Sequence, residues 1–520
     1  AKKKAVKTKS IEESLWDSAN KLRGSVESAE YKHVVLGLIF LKYAGDKFDQ
    51  RRTEIIAEGQ EKHLEQKAFY TMKNVFFLEE SSRWSYIISQ AKQDDIALKI
   101  DTALHQIEKN NPILKGALPD NYFSRLGLDK SKLSALLDTI NLIDTQQDNS
   151  QDFIGRVYEY FLGKFALKEG KGKGEFYTPK SIVNLIAELI QPYKGIIYDP
   201  ACGSGGMFVQ SIKFIEAHNG NKKEVSIYGQ ELTNTTYKLG KMNLAIRGIA
   251  ANLGERAADT FHRDQHPDLK ADYIMANPPF NQKAWRAEDE LTDDARWKGY
   301  EVPPKSNANY AWILNMVSKL SVNGVAGFIL ANGALSGGGE EYKIRKKLIE
   351  NNLVEAIIIL PQDMFYTTNI SVTLWIINRN KTNHERVIGE SLLNYRDREE
   401  EILFMDLRQI GIPFEKKYIQ FSEEQVARVA NTFHQWQIVD GDYQDEPEYA
   451  YAAKKEEVIK KDYSLVPSKY IEFINRDEQF DYKEKMSGLQ SDLSNLLQKQ
   501  VDSNQQLQEV FKNLGYEIKL

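Results

Sequence analysis

The chain has 520 residues, which exceeds the usual size of one domain and predicts two or three. Its net charge of −5 at pH 7 excludes the overall basic character of a protein that binds DNA unaided. A single cysteine excludes a disulfide framework and favours a cytoplasmic location. No apolar run is long enough to cross a membrane, and no Cys/His cluster has the spacing of a metal site.

A basic tail and a helical domain are predicted for the first 150 residues. Residues 1–10 begin with a lysine run and lack an apolar core, which predicts a disordered tail and no secretory signal. From residue 11 to 150, apolar residues recur mostly at helical spacing, and the most apolar stretch is 34–41. We expect most of these apolar faces to form the core of an N-terminal helical domain.

A catalytic domain is predicted over 151–400, and its first landmark is a strand followed by a glycine-rich turn. Gly195–Asp199 has the character of a strand, residues 200–206 are rich in glycine, and a helical pattern opens at Met207. This layout is typical of dinucleotide-type sites, where glycines let a ligand approach the backbone closely. The turn lacks the Lys-Ser/Thr ending of a phosphate-binding loop. The alternative is an ordinary tight turn between a strand and a helix.

The second strand, Val225–Glu231, ends in an acidic residue. Glu231 lies about one βα unit after the first strand, a spacing that suits a carboxylate binding ribose hydroxyls. The alternative is an acid at a helix N-terminus, because the run from Thr233 to Arg247 has helical spacing. A third strand is poorly marked within 250–259, and Asp259 near its end could hydrogen-bond a bound adenine.

The four residues Asn277, Pro278, Pro279 and Phe280 follow the apolar run 273–276, which predicts a buried strand. This turn suits methylation of an exocyclic amino group. The Asn277 side-chain oxygen and the Pro278 carbonyl can accept both amine hydrogens, which pushes the nitrogen towards tetrahedral geometry. The prolines stiffen the turn, and Phe280 offers a face on which an extruded base can stack. Since both this turn and the glycine turn follow parallel strands, we expect them to meet at one edge of the sheet.

Residues 281–307 form a long segment with little apolar periodicity, in which basic residues alternate with tryptophan. Long segments of this kind are usually functional or disordered. We interpret this one as a mobile flap that orders over DNA, with an ordinary solvated loop as the alternative. The candidate DNA-binding residues are Lys283, Trp285, Arg286 and Trp297.

The later part of the sheet carries a topological signal. Strands are predicted over 324–331, 353–360 and 370–378, and helices over 309–320 and 340–350. The connection 361–369 is too short for a crossover helix, so we expect the last two strands to pair antiparallel. An α/β sheet that is mostly parallel with its last strand antiparallel is the Rossmann-like fold of S-adenosylmethionine-dependent methyltransferases. It disfavours a nicotinamide dehydrogenase.

An extension and a helix for subunit assembly are predicted for the rest of the chain. Residues 401–475 are mixed in pattern and acidic, and 446–457 resembles a solvated connection. Residues 476–520 predict a polar helix with a narrow apolar stripe, suited to one partner helix. The alternative is a helix that folds back on its own domain. The stripe comprises Met486, Leu489, Leu493, Leu496, Leu497, Val501, Leu507, Phe511 and Leu514.

Three motifs in this order resemble the amino-methyltransferases of DNA: Asp-Pro-Ala-Cys-Gly-Ser-Gly-Gly at 199–206, Gly-Gln-Glu at 229–231 and Asn-Pro-Pro-Phe at 277–280. From about residue 11 to at least 379, the chain is most similar to the modification subunit of type I restriction–modification systems. The resemblance implies S-adenosyl-L-methionine as cofactor and N6 of a flipped adenine in duplex DNA as methyl acceptor. The cofactor-binding residues so implied are Glu175, Phe176, Tyr177, Thr178, Asp199, Pro200, Ala201, Gly203, Ser204, Gly205, Gly206, Glu231, Asp259 and Asn277.

The resemblance also implies an assembly. After Arg379 we find no domain for reading a target sequence, so recognition is assigned to a separate specificity subunit. Two modification subunits are expected around one specificity subunit, with a restriction (endonuclease/translocase) subunit joining for cleavage. One departure concerns residues 258–261, which read Ala-Asp-Thr-Phe where the family usually has Gly-Asp-Thr-Leu. Three alternatives stay open: methylation of an amino group in RNA or protein glutamine, a non-catalytic scaffold, and a dehydrogenase.

Overall fold

The computed structural model describes residues 28–142, 153–169, 177–365, 369–414, 418–474 and 482–513, together with Glu13 and Trp16. The chain divides into two compact units, Ala1–Ile471 and Glu472–Leu520. The predictions for the tail 1–10, for Glu175 and Phe176, and for Leu514 lie outside the described residues.

The N-terminal helical domain is confirmed. Its helices are α1 (Ser28–Ala57), α2 (Ala68–Thr71), α3 (Trp84–Ser89), α4 (Ile96–Asn110), α5 (Tyr122–Arg125), α6 (Lys130–Asn141) and α7 (Phe153–Glu169). Their apolar faces form one core, to which α7 contributes Val157, Tyr158 and Phe161. Helix α5 starts where it does because the Asp101 carboxylate accepts hydrogen bonds from the backbone N–H groups of residues 122–124.

The strands follow in chain order. They are β1 (Gly195–Asp199), β2 (Val225–Gly229), β3 (Ala251–Asn252), β4 (Ala271–Ala276), β5 (Leu320–Ala331), β6 (Val354–Ile359), β7 (Val372–Asn378), β8 (His384–Ile388), β9 (Ser391–Tyr395), β10 (Glu401–Asp406), β11 (Ile412–Phe414), β12 (Tyr418–Gln420) and β13 (Ala450–Lys454). Nine of them form one sheet in the order β13-β10-β6-β7-β5-β4-β1-β2-β3, while β8–β9 and β11–β12 are separate hairpins.

The predicted α/β class and the antiparallel last strand of the methyltransferase sheet are confirmed. Strands β1, β2, β3, β4 and β5 pair parallel with one another, whereas β7 lies antiparallel between β5 and β6. Trp375 at the centre of β7 pairs with Phe328 on one side and Ile357 on the other. The carboxyl ends of β1, β2 and β4 therefore share one edge, and each carries one of the predicted motifs.

Helices cover both faces of this sheet. The remaining helices are α8 (Lys180–Ile190), α9 (Gly206–Ala217), α10 (Asn234–Ile246), α11 (Asn309–Lys319), α12 (Gly339–Glu350), α13 (Glu423–Gln437), α14 (Lys455–Lys460) and α15 (Tyr482–Asn513). Short 3-10 helices lie at Glu61–His63, Glu80–Ser82, Pro112–Leu114, Lys222–Glu224, Ala295–Trp297, Asn332–Leu335 and Pro467–Lys469. One apolar core joins the sheet to α8, α9 and α13, and a second joins it to α11 and α12.

Helix α10 belongs to two cores. Leu239, Met242 and Ile246 pack into the core of the helical domain, whereas Tyr237 and Leu244 pack into a core of the sheet. The Tyr158 hydroxyl of α7 also donates a hydrogen bond of 3.2 Å to the Leu239 carbonyl. One helix thus joins the two parts of the first unit.

The interpretation of residues 446–457 as a solvated connection is wrong. Strand β13 pairs antiparallel with β10, which itself pairs parallel with β6, so the extension adds two strands to the catalytic sheet. Ala450 and Ala453 are buried in this strand. The run Ala-Tyr-Ala-Ala-Lys lacks the branched residues that usually mark a strand, which explains why its sequence resembled a connection.

The predicted C-terminal helix is confirmed as α15 in the second unit. Its apolar stripe is exposed along the helix from Met486 to Val510, and Leu496 at its centre is 63% exposed. No helix in the described ranges is long and apolar enough to cross a membrane.

Candidate active site

The glycine-rich turn leaves β1 and starts α9. Asp199, the last residue of β1, is buried, and its carboxylate accepts a hydrogen bond of 3.0 Å from the Ala201 N–H. Gly203 and Gly205 have φ of 55° and 78°, a left-handed conformation that side chains disfavour. A Cβ on Gly205 would also lie 3.2 Å from Leu244 of α10. The turn therefore needs glycine for its conformation and for the close approach of α10.

Glu231 joins this turn to the start of α10. One carboxylate oxygen accepts the Gly203 N–H at 3.0 Å, and the other accepts the Thr233 N–H at 2.8 Å. The interpretation of Glu231 as an acid at a helix N-terminus fits these contacts, whereas its binding of ribose hydroxyls stays a prediction. Its carboxylate therefore hydrogen-bonds both to the turn after β1 and to the start of the helix after β2.

A cavity of about 180 Å³ opens at this edge of the sheet. The predicted residues that line it are Tyr177, Pro200, Ala201, Gly203, Ser204, Glu231, Asp259, Asn277 and Pro279. The lining also includes residues that the sequence did not single out: Leu162, Phe165, Leu232, Thr233, Thr236, Leu239, Thr260, Phe261, Gln282 and Trp312. The structure thus brings the glycine turn, the acid after β2 and the Asn-Pro-Pro-Phe turn to one cleft.

Asn277 has an unusual hydrogen-bonding state. It directly follows β4 and is 7% exposed. Its side-chain Nδ2 donates a 2.9 Å hydrogen bond to the Thr178 hydroxyl, while its buried Oδ1 has no partner among the described residues. Two other lining residues share this feature, since Gln282 Oε1 and Trp312 Nε1 are also buried without partners there. An unsatisfied buried polar group costs roughly 1–3 kcal/mol, so three around one cavity indicate a binding site.

Asp259 reaches the cleft although its neighbours depart from the usual family pattern. Its carboxylate accepts the backbone N–H groups of Phe261 at 2.7 Å and His262 at 3.1 Å. The next residue, Thr260, donates a hydrogen bond of 2.6 Å to the Pro200 carbonyl and so fastens this loop to the glycine turn. Asp259 is therefore held at the cavity wall by local contacts.

Burial dominates the electrostatics beneath the glycine turn. It raises the pKa of Asp199 to about 8, and the nearby Glu231 carboxylate adds to this effect. Burial likewise raises the pKa of the Cys202 thiol well above its usual value. Cys202 is therefore a packed, protonated residue, as its place in the turn predicts. No group of His, Cys, Asp and Glu within the described ranges could hold a metal ion.

Phe280 lies at the rim of the site rather than among the lining residues. Its half-buried ring meets the buried Phe365 ring edge-on at 6.1 Å. Pro278, Asp199 and Gly205 are buried and Gly206 is exposed, and none of the four lines the cavity.

The two tryptophans of the segment 281–307 are buried, and this burial corrects their interpretation as DNA contacts. Trp285 is 4% exposed and Trp297 is 2% exposed, and their indole N–H groups donate to the carbonyls of Pro304 and Leu291. Both rings pack in a core of the sheet beside Phe261. Because they are spaced irregularly, the sequence pattern did not reveal this core role.

The two candidate basic residues of the segment differ in how exposed they are. Arg286 is half-buried and donates to several backbone carbonyls of its own segment, including those of Glu288 and Pro303. Lys283 is exposed. Contact of these two residues with DNA stays a prediction.

Two family models and several known proteins match this chain. The N-6 DNA Methylase family model matches residues 149–479, and the HsdM N-terminal domain model matches residues 11–142. The type I restriction enzyme HindI methylase subunit of Haemophilus influenzae is 41% identical, over 82% of this chain and 94% of its own. The MjaIX methylase subunit of Methanocaldococcus jannaschii is 35% identical, over 98% of this chain and 92% of its own.

Solved structures agree on the fold. The methyltransferase subunit of a type I restriction–modification system from Streptococcus thermophilus superposes with a TM-score of 0.71 at 22% identity, over 89% of this chain and 99% of that one. A modification subunit of a putative type I restriction enzyme from Vibrio vulnificus gives a TM-score of 0.58 at 19% identity, over 87% and 94% of the two chains.

These matches span almost the whole chain and agree with the three motifs that meet at the cleft. The chain therefore belongs to the N-6 DNA methylase family, as a methylase subunit of the type I restriction–modification kind and an adenine-specific DNA methyltransferase.

Proposed function

We propose that this subunit transfers a methyl group from S-adenosyl-L-methionine to N6 of an adenine flipped out of duplex DNA. The observation that carries this proposal is the buried Oδ1 of Asn277, an acceptor without a partner among the described residues, on a residue that lines the cleft. A group left without a partner in a folded core is expected to find one in a bound ligand.

The lining residues fit the cofactor. Gly203 and Ser204 offer backbone without bulky side chains, as a closely approaching ligand requires. Glu231 supplies a carboxylate for ribose hydroxyls, and Asp259 supplies one for the adenine amine. When bound, S-adenosyl-L-methionine supplies a methyl group that is already activated on a sulfonium.

The protein's own part is to prepare the acceptor nitrogen. The N6 lone pair of adenine is conjugated into the ring and attacks poorly. Asn277 Oδ1 and the Pro278 carbonyl accept the two N6 hydrogens and draw the nitrogen towards tetrahedral geometry. The Phe280 ring holds the flipped base by stacking. We assign release of the proton to water after transfer, because the Glu231 and Asp259 carboxylates of the cleft are assigned to the cofactor.

We further propose that target recognition is supplied by a separate specificity subunit. Two copies of this chain are proposed to surround it, and a restriction subunit joins them for cleavage. The exposed apolar stripe of α15 supports assembly, since such a stripe is suited to burial against another helix. One structurally similar protein comes from work on complex assembly and conformational transition of a type I system, with a TM-score of 0.58 at 18% identity.

The test is Asn277→Ala, assayed with the specificity subunit on duplex DNA that contains its target. We expect adenine methylation to be nearly abolished while calorimetric binding of S-adenosyl-L-methionine persists, because the change removes the acceptor for N6 and leaves the other residues that line the cofactor cleft in place. Asn323→Ala is the matched control, since Asn323 is an exposed asparagine of β5 outside the cavity. Near-wild-type turnover by Asn277→Ala would refute the role of Asn277. If the wild type methylates RNA or protein but not DNA, the assignment of DNA as the substrate is refuted.

A further inference from the structure

The hydrogen bond between Thr178 and Asn277 joins two segments that are 99 residues apart in sequence. We propose that Thr178 is a positioning residue that holds the Asn277 side-chain amide in place, so that its Oδ1 can meet the adenine. This inference rests on the proposed function. It gives Thr178 a task other than the cofactor contact implied by its family resemblance.

Thr178 is held on a stiff support. The following residue is Pro179, which confines Thr178 to extended backbone. The Pro179 carbonyl accepts the N–H groups of Ile182 and Val183, and this begins α8. Helix α8 in turn packs closely on the sheet, since a Cβ on Gly327 of β5 would lie 2.9 Å from Ile186. The hydroxyl of Thr178 is therefore fixed relative to the sheet.

Asn277 is fixed from the other side. It follows β4 directly, and Ala276 at the end of that strand is buried and pairs with Phe328 of β5. Pro278 limits the backbone after it. Both partners of the 2.9 Å bond are thus anchored to β4 and β5, and the bond leaves the amide little freedom to turn.

The orientation of the Asn277 amide matters because its two polar atoms have opposite hydrogen-bonding roles. A side-chain amide has one acceptor atom, Oδ1, and one donor atom, Nδ2. Because Nδ2 donates to Thr178, Oδ1 is the atom left to accept from N6 of the adenine. In the reversed orientation Nδ2 would face the amine, and two donors would oppose each other. The Thr178 hydroxyl can donate as well as accept, so it keeps a bond to the amide in either orientation; only the observed one, in which it accepts from Nδ2, also leaves an acceptor for N6.

The position of Thr178 separates this task from cofactor binding. Tyr177, its neighbour, lines the cavity, whereas the half-buried Thr178 does not line it and contacts Asn277. Loss of the hydroxyl should therefore slow methyl transfer without weakening the binding of S-adenosyl-L-methionine.

The experiment compares Thr178→Val with Thr178→Ser in the complex with the specificity subunit. Valine keeps the shape and removes the acceptor, whereas serine keeps the hydroxyl. For valine we expect kcat to fall roughly tenfold to a hundredfold, because misplacing a reacting group costs about that much, with KM for the cofactor within about twofold. Serine should restore most of kcat. Calorimetric cofactor binding reports whether each variant is folded, and Thr178→Ala replaces the valine variant if that one does not fold.

A second arm tests whether Thr178 acts through Asn277. In an Asn277→Ala background the side chain has no polar atom to bond the Thr178 hydroxyl, so adding Thr178→Val should lower the residual rate by less than about twofold. An equal loss in both backgrounds would overturn the proposal, as would wild-type kcat for Thr178→Val. Failure of serine to restore kcat would also overturn it. If the wild-type complex methylates no adenine at all, the proposed function itself fails, whatever the Thr178 variants do.

Discussion

Glu231 is the residue whose replacement should show most directly how the cleft holds its cofactor. The change is Glu231→Gln, which preserves size and removes one acceptor oxygen together with the negative charge. In the structure both oxygens are used, by the N–H groups of Gly203 at 3.0 Å and Thr233 at 2.8 Å. A glutamine can satisfy only one of them, and its own Nε2 must then face the other N–H.

The magnitude follows from that conflict. If the amide oxygen keeps the Thr233 N–H, the Gly203 N–H loses its acceptor and opposes another donor. An unsatisfied buried donor costs roughly 1–3 kcal/mol, which is an upper bound for the part-buried Gly203 N–H, and part of that cost falls on the conformation of the glycine turn. Loss of a charge-assisted bond to the ribose adds to it. We expect the Kd for S-adenosyl-L-methionine to rise about tenfold to a hundredfold.

The assay is calorimetric titration of the full chain with S-adenosyl-L-methionine, in parallel with Glu255→Gln. Glu255 is exposed and absent from the cavity lining, so its replacement makes the same change of charge without touching the site. A thermal melt checks that each variant is folded. If Glu231→Gln binds within about twofold of the wild type, the carboxylate does not organise the cofactor site and the reasoning is refuted.

Two further changes test other parts of the structure. Trp297→Ala should lower the free energy of unfolding by about 3–5 kcal/mol, because it empties a core position, whereas the exposed Lys283→Ala should not. Unchanged stability in urea would contradict this core role. Since burial raises the pKa of Asp199 to about 8, its proton stabilises the fold at low pH, and this stabilisation is lost as pH rises from about 4 towards 8. Asp199→Asn should remove a dependence of up to ~1.4 kcal/mol per pH unit, measured by urea unfolding, and an unchanged pH profile would contradict it.

The elements of the cleft that the sequence predicted are those with a local signature. Glycines after a strand, an acid after the next strand and the Asn-Pro-Pro-Phe turn each stand out within a few residues. The rule that parallel strands present their carboxyl ends at one edge then places all three together. This is why Gly203, Glu231 and Asn277 were predicted to meet, and all three line the cavity.

The parts that were missed depend on contacts between distant segments. Leu162 and Phe165 reach the cavity from α7, and an apolar face of that helix is indistinguishable in sequence from ordinary core. Trp312 of α11 was similarly hidden in a helical pattern. The misinterpretation of Trp285 and Trp297 has the same origin, because a core built from an irregular segment has no period to detect.

The double membership of α10 has a consequence for exchanging parts between related enzymes. The helix buries Leu239, Met242 and Ile246 in the helical domain, and Leu239 also lines the cavity. A fragment that began at the first strand would expose this apolar face and loosen one wall of the cleft. A chimera that takes its helical domain from one relative and its sheet from another therefore needs a matched α10. For this reason the boundary between the two family models, which end at residue 142 and begin at residue 149, is a poor place to join parts of two relatives.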